Sequence, residues 1–119
     1  MPPSAADVGD LMTATIRHLV AGRWRDGTGA DLHSLNPTRP SQIVAQGNSG
    51  TQTDVDDAVD AARTAQRAWA ATPIHTRGAV LAAAAAVIES HAEQWGLELS
   101  TEEGKTRAEG VGEVRRAAQ

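Results

Sequence analysis

After the breaker run Gly47-Asn48-Ser49-Gly50 the chain changes period, from short extended segments to apolar residues spaced three and four apart. The change puts strands first and helices after, so the expected fold class is α+β. A first helix is predicted over about 53–71, with Thr53 as N-cap, Asp56 three residues on, and Val55, Ala58, Val59, Ala62, Gln66 and Trp69 on one stripe. Thr72-Pro73 predicts the start of a second helix over about 73–103, because Thr caps and Pro suits the first helical position. Its expected buried stripe is Leu81, Ala84, Ala85, Ile88, Ala92, Trp95 and Leu99, and Gly104 suits a left-handed stop. A third helix follows over 106–119, opened by Thr106 and Glu109 in the Thr-x-x-Glu capping pattern. It carries no stop signal before Gln119, the ending expected of a truncated chain.

Before Gly50 the pattern predicts one hairpin over 18–36. His18 to Trp24 supplies one strand, Asp26-Gly27-Thr28-Gly29 the turn, and Asp31 to Asn36 the second strand, ended by Asn36-Pro37. A short extra strand is expected at Gln42 to Gln46. Residues 1–17 read as a disordered or weakly ordered leader, with Met12 as an alternative start. The leader has neither the basic nor the apolar part of a secretory signal, and a cytoplasmic location is expected.

The apolar inventory limits the core. Alanine accounts for 23 residues, whereas Val, Leu and Ile together number 20, with three Trp and no Phe or Tyr. Helical propensity is therefore strong and the core thin. A formal net charge of -4 with dispersed basic residues disfavours nucleic acid, and no apolar run reaches the roughly 20 residues that span a bilayer. The absence of Cys removes disulfides, thiolate metal sites and cysteine nucleophiles.

Each candidate for chemistry has a simpler structural explanation. His18, His33, His75 and His91 show no i, i+4 pairing, and His75 and His91 stand too far apart along one helix to share a metal. Asp54, Asp56, Asp57 and Asp60 crowd a helix N-terminus, where carboxylates favour the dipole. Glu102 and Glu103 resemble an acid-base pair but lack a nucleophile. Gly27-Thr28-Gly29 lacks the third glycine of a dinucleotide fingerprint. Gly104-Lys105-Thr106 has Leu99 where a phosphate loop needs its first glycine. No catalytic, cofactor-binding or metal residue is assigned.

Five colinear pieces carry a resemblance. They are Val20-Ala21-Gly22-Arg23-Trp24-Arg25-Asp26-Gly27, Leu35-Asn36-Pro37, Asp54 through Ala62, Ala68-Trp69-Ala70-Ala71-Thr72-Pro73, and Leu99 through Glu109 followed by Gly112-Glu113-Val114. In this order the chain resembles the N-terminal segment of NAD(P)-dependent aldehyde dehydrogenases, most like the ketoglutarate semialdehyde dehydrogenase branch. The resemblance implies an incomplete part of the α/β cofactor-binding domain, with Trp69 and Trp95 in packing roles. It implies too that the catalytic cysteine, the general-base glutamate, the oxyanion asparagine and the NAD or NADP contacts match positions after Gln119. A structural monovalent cation in the family sits near positions matching the Leu35 carbonyl and Glu113, and that site is not expected to form here.

Two functions follow as expectations. One is a truncated aldehyde dehydrogenase, inactive alone, from a parent that oxidises aldehydes through a thiohemiacetal and hydride transfer. The other is a non-enzymatic helical interaction module that binds a partner through its apolar helix faces. The partner would be the remainder of the enzyme or a second copy.

Overall fold

Ala21 and Gly22 take φ of 52° and 74°, the pair of positive values that closes a two-residue hairpin turn. In the computed structural model, which describes residues 13–119, they join β2 (His18–Val20) to β3 (Arg23–Arg25), with Leu19 opposite Trp24. A second hairpin joins β4 (Asp31–Asn36) to β5 (Arg39–Asn48) through Pro37-Thr38. Asn36 Oδ1 accepts from the Thr38 amide at 2.9 Å and the Thr38 hydroxyl at 2.7 Å, fixing that turn. The single hairpin expected over 18–36 is thus corrected to two. Gly29 donates to the Ser49 carbonyl and Ser49 to the Ala30 carbonyl, both at 2.8 Å, so the glycine loop runs on alongside β5 instead of turning back. The strand expected at 42–46 is the middle of the ten-residue β5.

Part of the expected leader is ordered. β1 (Ala14–Ile16) pairs in parallel with Ala45 to Gly47 of β5, giving a three-stranded sheet in the order β1-β5-β4. Three residues carry no periodicity of their own; the open edge of β5 selects them. Residues 1–12, with Met12, lie outside the described residues.

Four helices follow where three were expected: α1 (Gln52–Ala71), α2 (Ile74–Ser90), α3 (Ala92–Glu103) and α4 (Arg107–Ala117). Thr72 closes α1 and does not open α2: its amide donates to the Ala68 and Trp69 carbonyls at 3.1 Å and its hydroxyl to Ala68 at 2.9 Å. Pro73 is the N-cap of α2, and the path turns by 120° between α1 and α2. The helix expected over 73–103 breaks at His91 (φ -105°, ψ 10°). There Ser90 Oγ and His91 Nδ1 both lie 2.8 Å from the Val87 carbonyl, side-chain bonds added to the stretched 3.3 Å bond that the His91 amide still donates to it. The His91 ring then stacks on Trp95, with centroids 4.7 Å apart.

Small residues hold α3 against α4. A Cβ on Gly96 would stand 2.6 Å from the Val111 amide nitrogen, so only glycine admits this approach. The buried apolar residues among those described are Ala92 and Val111, beside buried Asn36, Ser100 and Thr101. Ser100 Oγ lies 2.7 Å from the Gly96 carbonyl and 3.0 Å from that of Thr106.

Of the stripe expected to be buried on the second helix, Ala92 is buried and Ala85, Ile88, Trp95 and Leu99 are half-buried, whereas Leu81 and Ala84 are exposed. Leu81 is 66% exposed, and Trp69, on the stripe expected for the first helix, is 42% exposed, because no described element packs over them. The radius of gyration is 17.2 Å, against about 13.5 Å for a compact chain of this length. The surface is 8355 Å², against about 6,100 Å² expected from the mass. No single helix among the described residues is long and apolar enough to cross a membrane.

Candidate functional site

The most organised polar cluster gathers at the N-terminus of α1. Thr51-Gln52-Thr53-Asp54 and Thr53-Asp54-Val55-Asp56 both read as capping boxes, and the structure uses the first. This corrects the expected Thr53 cap. The reason is tertiary: Asp54 Oδ2 accepts from the Thr28 amide at 3.0 Å and its hydroxyl at 2.6 Å, besides the Thr51 amide at 2.9 Å. Arg25 reaches the same carboxylate at 3.7 Å and Asp57 at 3.1 Å. The Gly27-Thr28-Gly29 loop, set aside as a dinucleotide fingerprint, therefore anchors the first helix to the β2–β3 hairpin.

Hydrogen bonds from Thr28, and then from Thr51, hold the Asp54 carboxyl far below its ordinary 3.8, against the opposing effect of burial. A depressed carboxyl contributes its full stability above the unfolded value and loses it as pH falls toward the folded one. Acidification from about pH 5 to about pH 3 should thus lower the urea midpoint of the chain. Asp54→Asn should start lower at neutral pH and show a shallower acid slope; an unchanged slope would rule out Asp54 as its source.

A second cluster surrounds Gly104. Lys105 Nζ lies 2.6 Å from Glu103 and 2.8 Å from Glu113, and these carboxylates hold the ammonium above its ordinary value. Glu102 instead accepts from Ser34 Oγ at 2.6 Å. The two glutamates of the supposed acid-base pair therefore diverge to different partners. Thr106 caps α4, its amide donating to Glu109 at 2.9 Å, and the Thr106 bonds lower the Glu109 carboxyl. Each group of the Gly104-Lys105-Thr106 run serves a helix end, and none lines a phosphate cradle.

The remaining candidates stay apart. Asp56 accepts from Gln52 at 2.9 Å, and Asp60 pairs with Arg63 at 3.8 Å. His18 Nε2 lies 3.3 Å from the Asn48 carbonyl, His33 is in β4, His75 is in the first turn of α2, and His91 marks the break. No group of three or more His, Asp or Glu among the described residues is placed to hold a metal. Leu35 lies in β4, and Glu113 on α4 is engaged by Lys105. The Gly96 and Gly110 contact between α3 and α4 escaped sequence reasoning; its available signal was the four-residue spacing of Ala92, Gly96 and Ser100.

The sequence pattern of the Aldehyde dehydrogenase family matches residues 24–119. N-succinylglutamate 5-semialdehyde dehydrogenase of Ectopseudomonas mendocina is 42% identical over 82% of this chain and 20% of that protein. Alpha-ketoglutarate semialdehyde dehydrogenase of Haloferax volcanii is 36% identical over 89% and 22%. Among solved structures, the NAD-dependent benzaldehyde dehydrogenase of Corynebacterium glutamicum superposes with a TM-score of 0.81 at 34% identity, covering 86% of this chain and 22% of that one. The NADP-dependent glyceraldehyde-3-phosphate dehydrogenase of Bacillus halodurans gives 0.82 at 30%, covering 90% and 22%. The chain thus spans about a fifth of the length of the relatives it matches.

Proposed function

The chain belongs to the aldehyde dehydrogenase family, and we propose that it supplies the N-terminal scaffold of a cytoplasmic enzyme oxidising an aldehyde to a carboxylic acid with NAD or NADP. In that reaction a hydride passes to the nicotinamide and water supplies the second oxygen. The supporting observation is the use of polar groups within the described residues. Asp54, Glu103, Lys105, Glu109 and Glu113 are all committed to caps and ties between elements, and none is paired with a nucleophile. The chain's own contribution is positional: the Asp54 cluster ties the β2–β3 hairpin to α1, the Ser34–Glu102 bond ties β4 to α3, and Lys105 joins the end of α3 to α4.

Alone, the 119-residue chain is therefore expected to be inactive. The purified chain with NAD or NADP and aliphatic, aromatic and semialdehyde substrates should give no aldehyde-dependent rise in nicotinamide absorbance. Sustained turnover above a no-protein blank would overturn this reading. The exposure of Leu81, Trp69 and Ile74 also favours a binding role for the helix faces.

A further inference from the structure

Asp26 is the one Asp or Asn of the chain that a glycine follows. A residue without Cβ leaves its amide nitrogen open to the side-chain carbonyl carbon of the residue before it, the approach that closes a five-membered succinimide ring. The structure leaves both groups available. Asp26 is exposed just past the end of β3, and the Gly27 amide donates to no group among the described residues. The Asp26 carboxylate pairs with Arg17 at 3.3 Å, with the two side chains 72% and 45% exposed, so water screens the pair and it opens readily. Asn48-Ser49 runs alongside and carries the better leaving group, yet it is locked. The Asn48 side-chain amide donates to the Gly29 carbonyl and to Asp31, both at 3.2 Å, and the Ser49 amide donates to the Ala30 carbonyl at 2.8 Å.

We propose that Asp26 is a site of spontaneous modification, at which the Gly27 nitrogen closes on Asp26 Cγ and the chain passes through a succinimide to isoaspartate. Closure forms the N–Cγ bond, and the hydroxyl of the carboxylic acid leaves with the amide proton as water. Hydrolysis returns one water. Opening at Cγ regenerates aspartate, whereas opening at the Asp26 backbone carbonyl leaves isoaspartate, of the same mass and with a free α-carboxylate. The isoaspartyl link adds one methylene, about 1.5 Å, to the backbone path. It falls between Arg25 and Thr28, the two residues that grip Asp54. Gly27 backs onto the Asn48 and Ser49 carbonyls so closely that no Cβ fits there, so the added length is taken up at Thr28. Modification of the loop thereby loosens the tie between the β2–β3 hairpin and α1.

The purified 119-residue chain is aged at neutral pH, with and without urea. Isoaspartate is read by methyl transfer from S-adenosylmethionine, with an L-isoaspartyl methyltransferase as reagent, and is placed by fragmentation mass spectrometry. Without urea it is expected at Asp26 at least about tenfold faster than Asn48 deamidates, a barrier difference of about 1.4 kcal/mol. In urea the bonds that lock Asn48 are gone, and that preference should collapse. Asp26→Glu keeps the charge facing Arg17 but would need a six-membered ring, and it should remove the signal from this loop. Persistence of the signal in Asp26→Glu, comparable conversion of Asn48 without urea, or one site profile under both conditions each overturns the proposal.

The isoaspartyl form, separated by chromatography, tests the link to Asp54. It should have a lower urea midpoint and the shallower acid slope expected of Asp54→Asn. A form that matches the unmodified chain in both measurements overturns the loosening of the Asp54 tie.

Discussion

Gly110→Leu is expected to separate α3 from α4 and to lower stability by about 2–4 kcal/mol. A Cβ at this position would collide with the Gly96 carbonyl oxygen and stand 2.5 Å from Ser100 Oγ. Both are fixed by the helix they belong to, so relief requires the axes to move apart. Helix propensity gains about 1 kcal/mol from losing a glycine, whereas overpacking against atoms that cannot rotate away costs about 3 kcal/mol or more. Ala92 and Val111, the buried apolar pair, would be opened to water at the same contact. The thermal midpoint should fall by roughly 8–15 °C, taking about 4 °C per kcal/mol for a chain of this size. Gly112→Leu is the control: two residues away on the same helix, its Cβ would meet nothing within 4 Å. That variant should be neutral or stabilised, and similar losses in both variants would assign the effect to helix composition and not to the α3–α4 contact.

Gly104→Ala should cost about 2–3 kcal/mol from two separable sources. Gly104 sits at φ 74° and ψ 16°, the left-handed stop of α3, where any L side chain adds about 1–2 kcal/mol of strain. Its Cβ would also stand 2.8 Å from Pro37 Cγ, in the turn between β4 and β5. A double-mutant cycle with Pro37→Ala divides the two. The coupled variant should recover about 1 kcal/mol, as expected for neighbours in contact. Strict additivity would remove the packing of the hairpin turn against the helix junction. Urea midpoints suffice for all four species of the cycle.

These two glycines also show where sequence reasoning reached and where it stopped. The role of Gly104 was legible because a helix stop depends on one residue's φ preference, and the Thr106-Glu109 box completes itself within three residues. Gly110 carries no comparable local signal, since its partner Gly96 stands fourteen positions earlier. The same holds at the start of α1. Two overlapping Thr-x-x-Asp patterns were equivalent locally, and Thr28, 26 residues before Asp54, selected one of them. The break at His91 had a local signal in Ser90-His91, whose side chains compete for the Val87 carbonyl, but the alanine run before it argued for continuity.

The sequence by itself determined the order of strands and helices, the stop at Gly104, the cap at Thr106 and the family, whose pattern matches residues 24–119. All of these rest on preferences that act within a few residues or on colinear identity. The tertiary structure decided that the extended segments pair as two hairpins with a parallel third strand, and which threonine caps α1. It also decided which face of each helix is covered. The hairpins pair residues 3 to 17 positions apart, but the parallel strand, the choice of cap and the covered helix faces depend on contacts between residues 14 to 68 positions apart, whose energies no local window contains. The side of α2 that carries Val80 and Val87 marks the limit of both: its apolar residues are explicit in the sequence, and no described part of the chain packs over them.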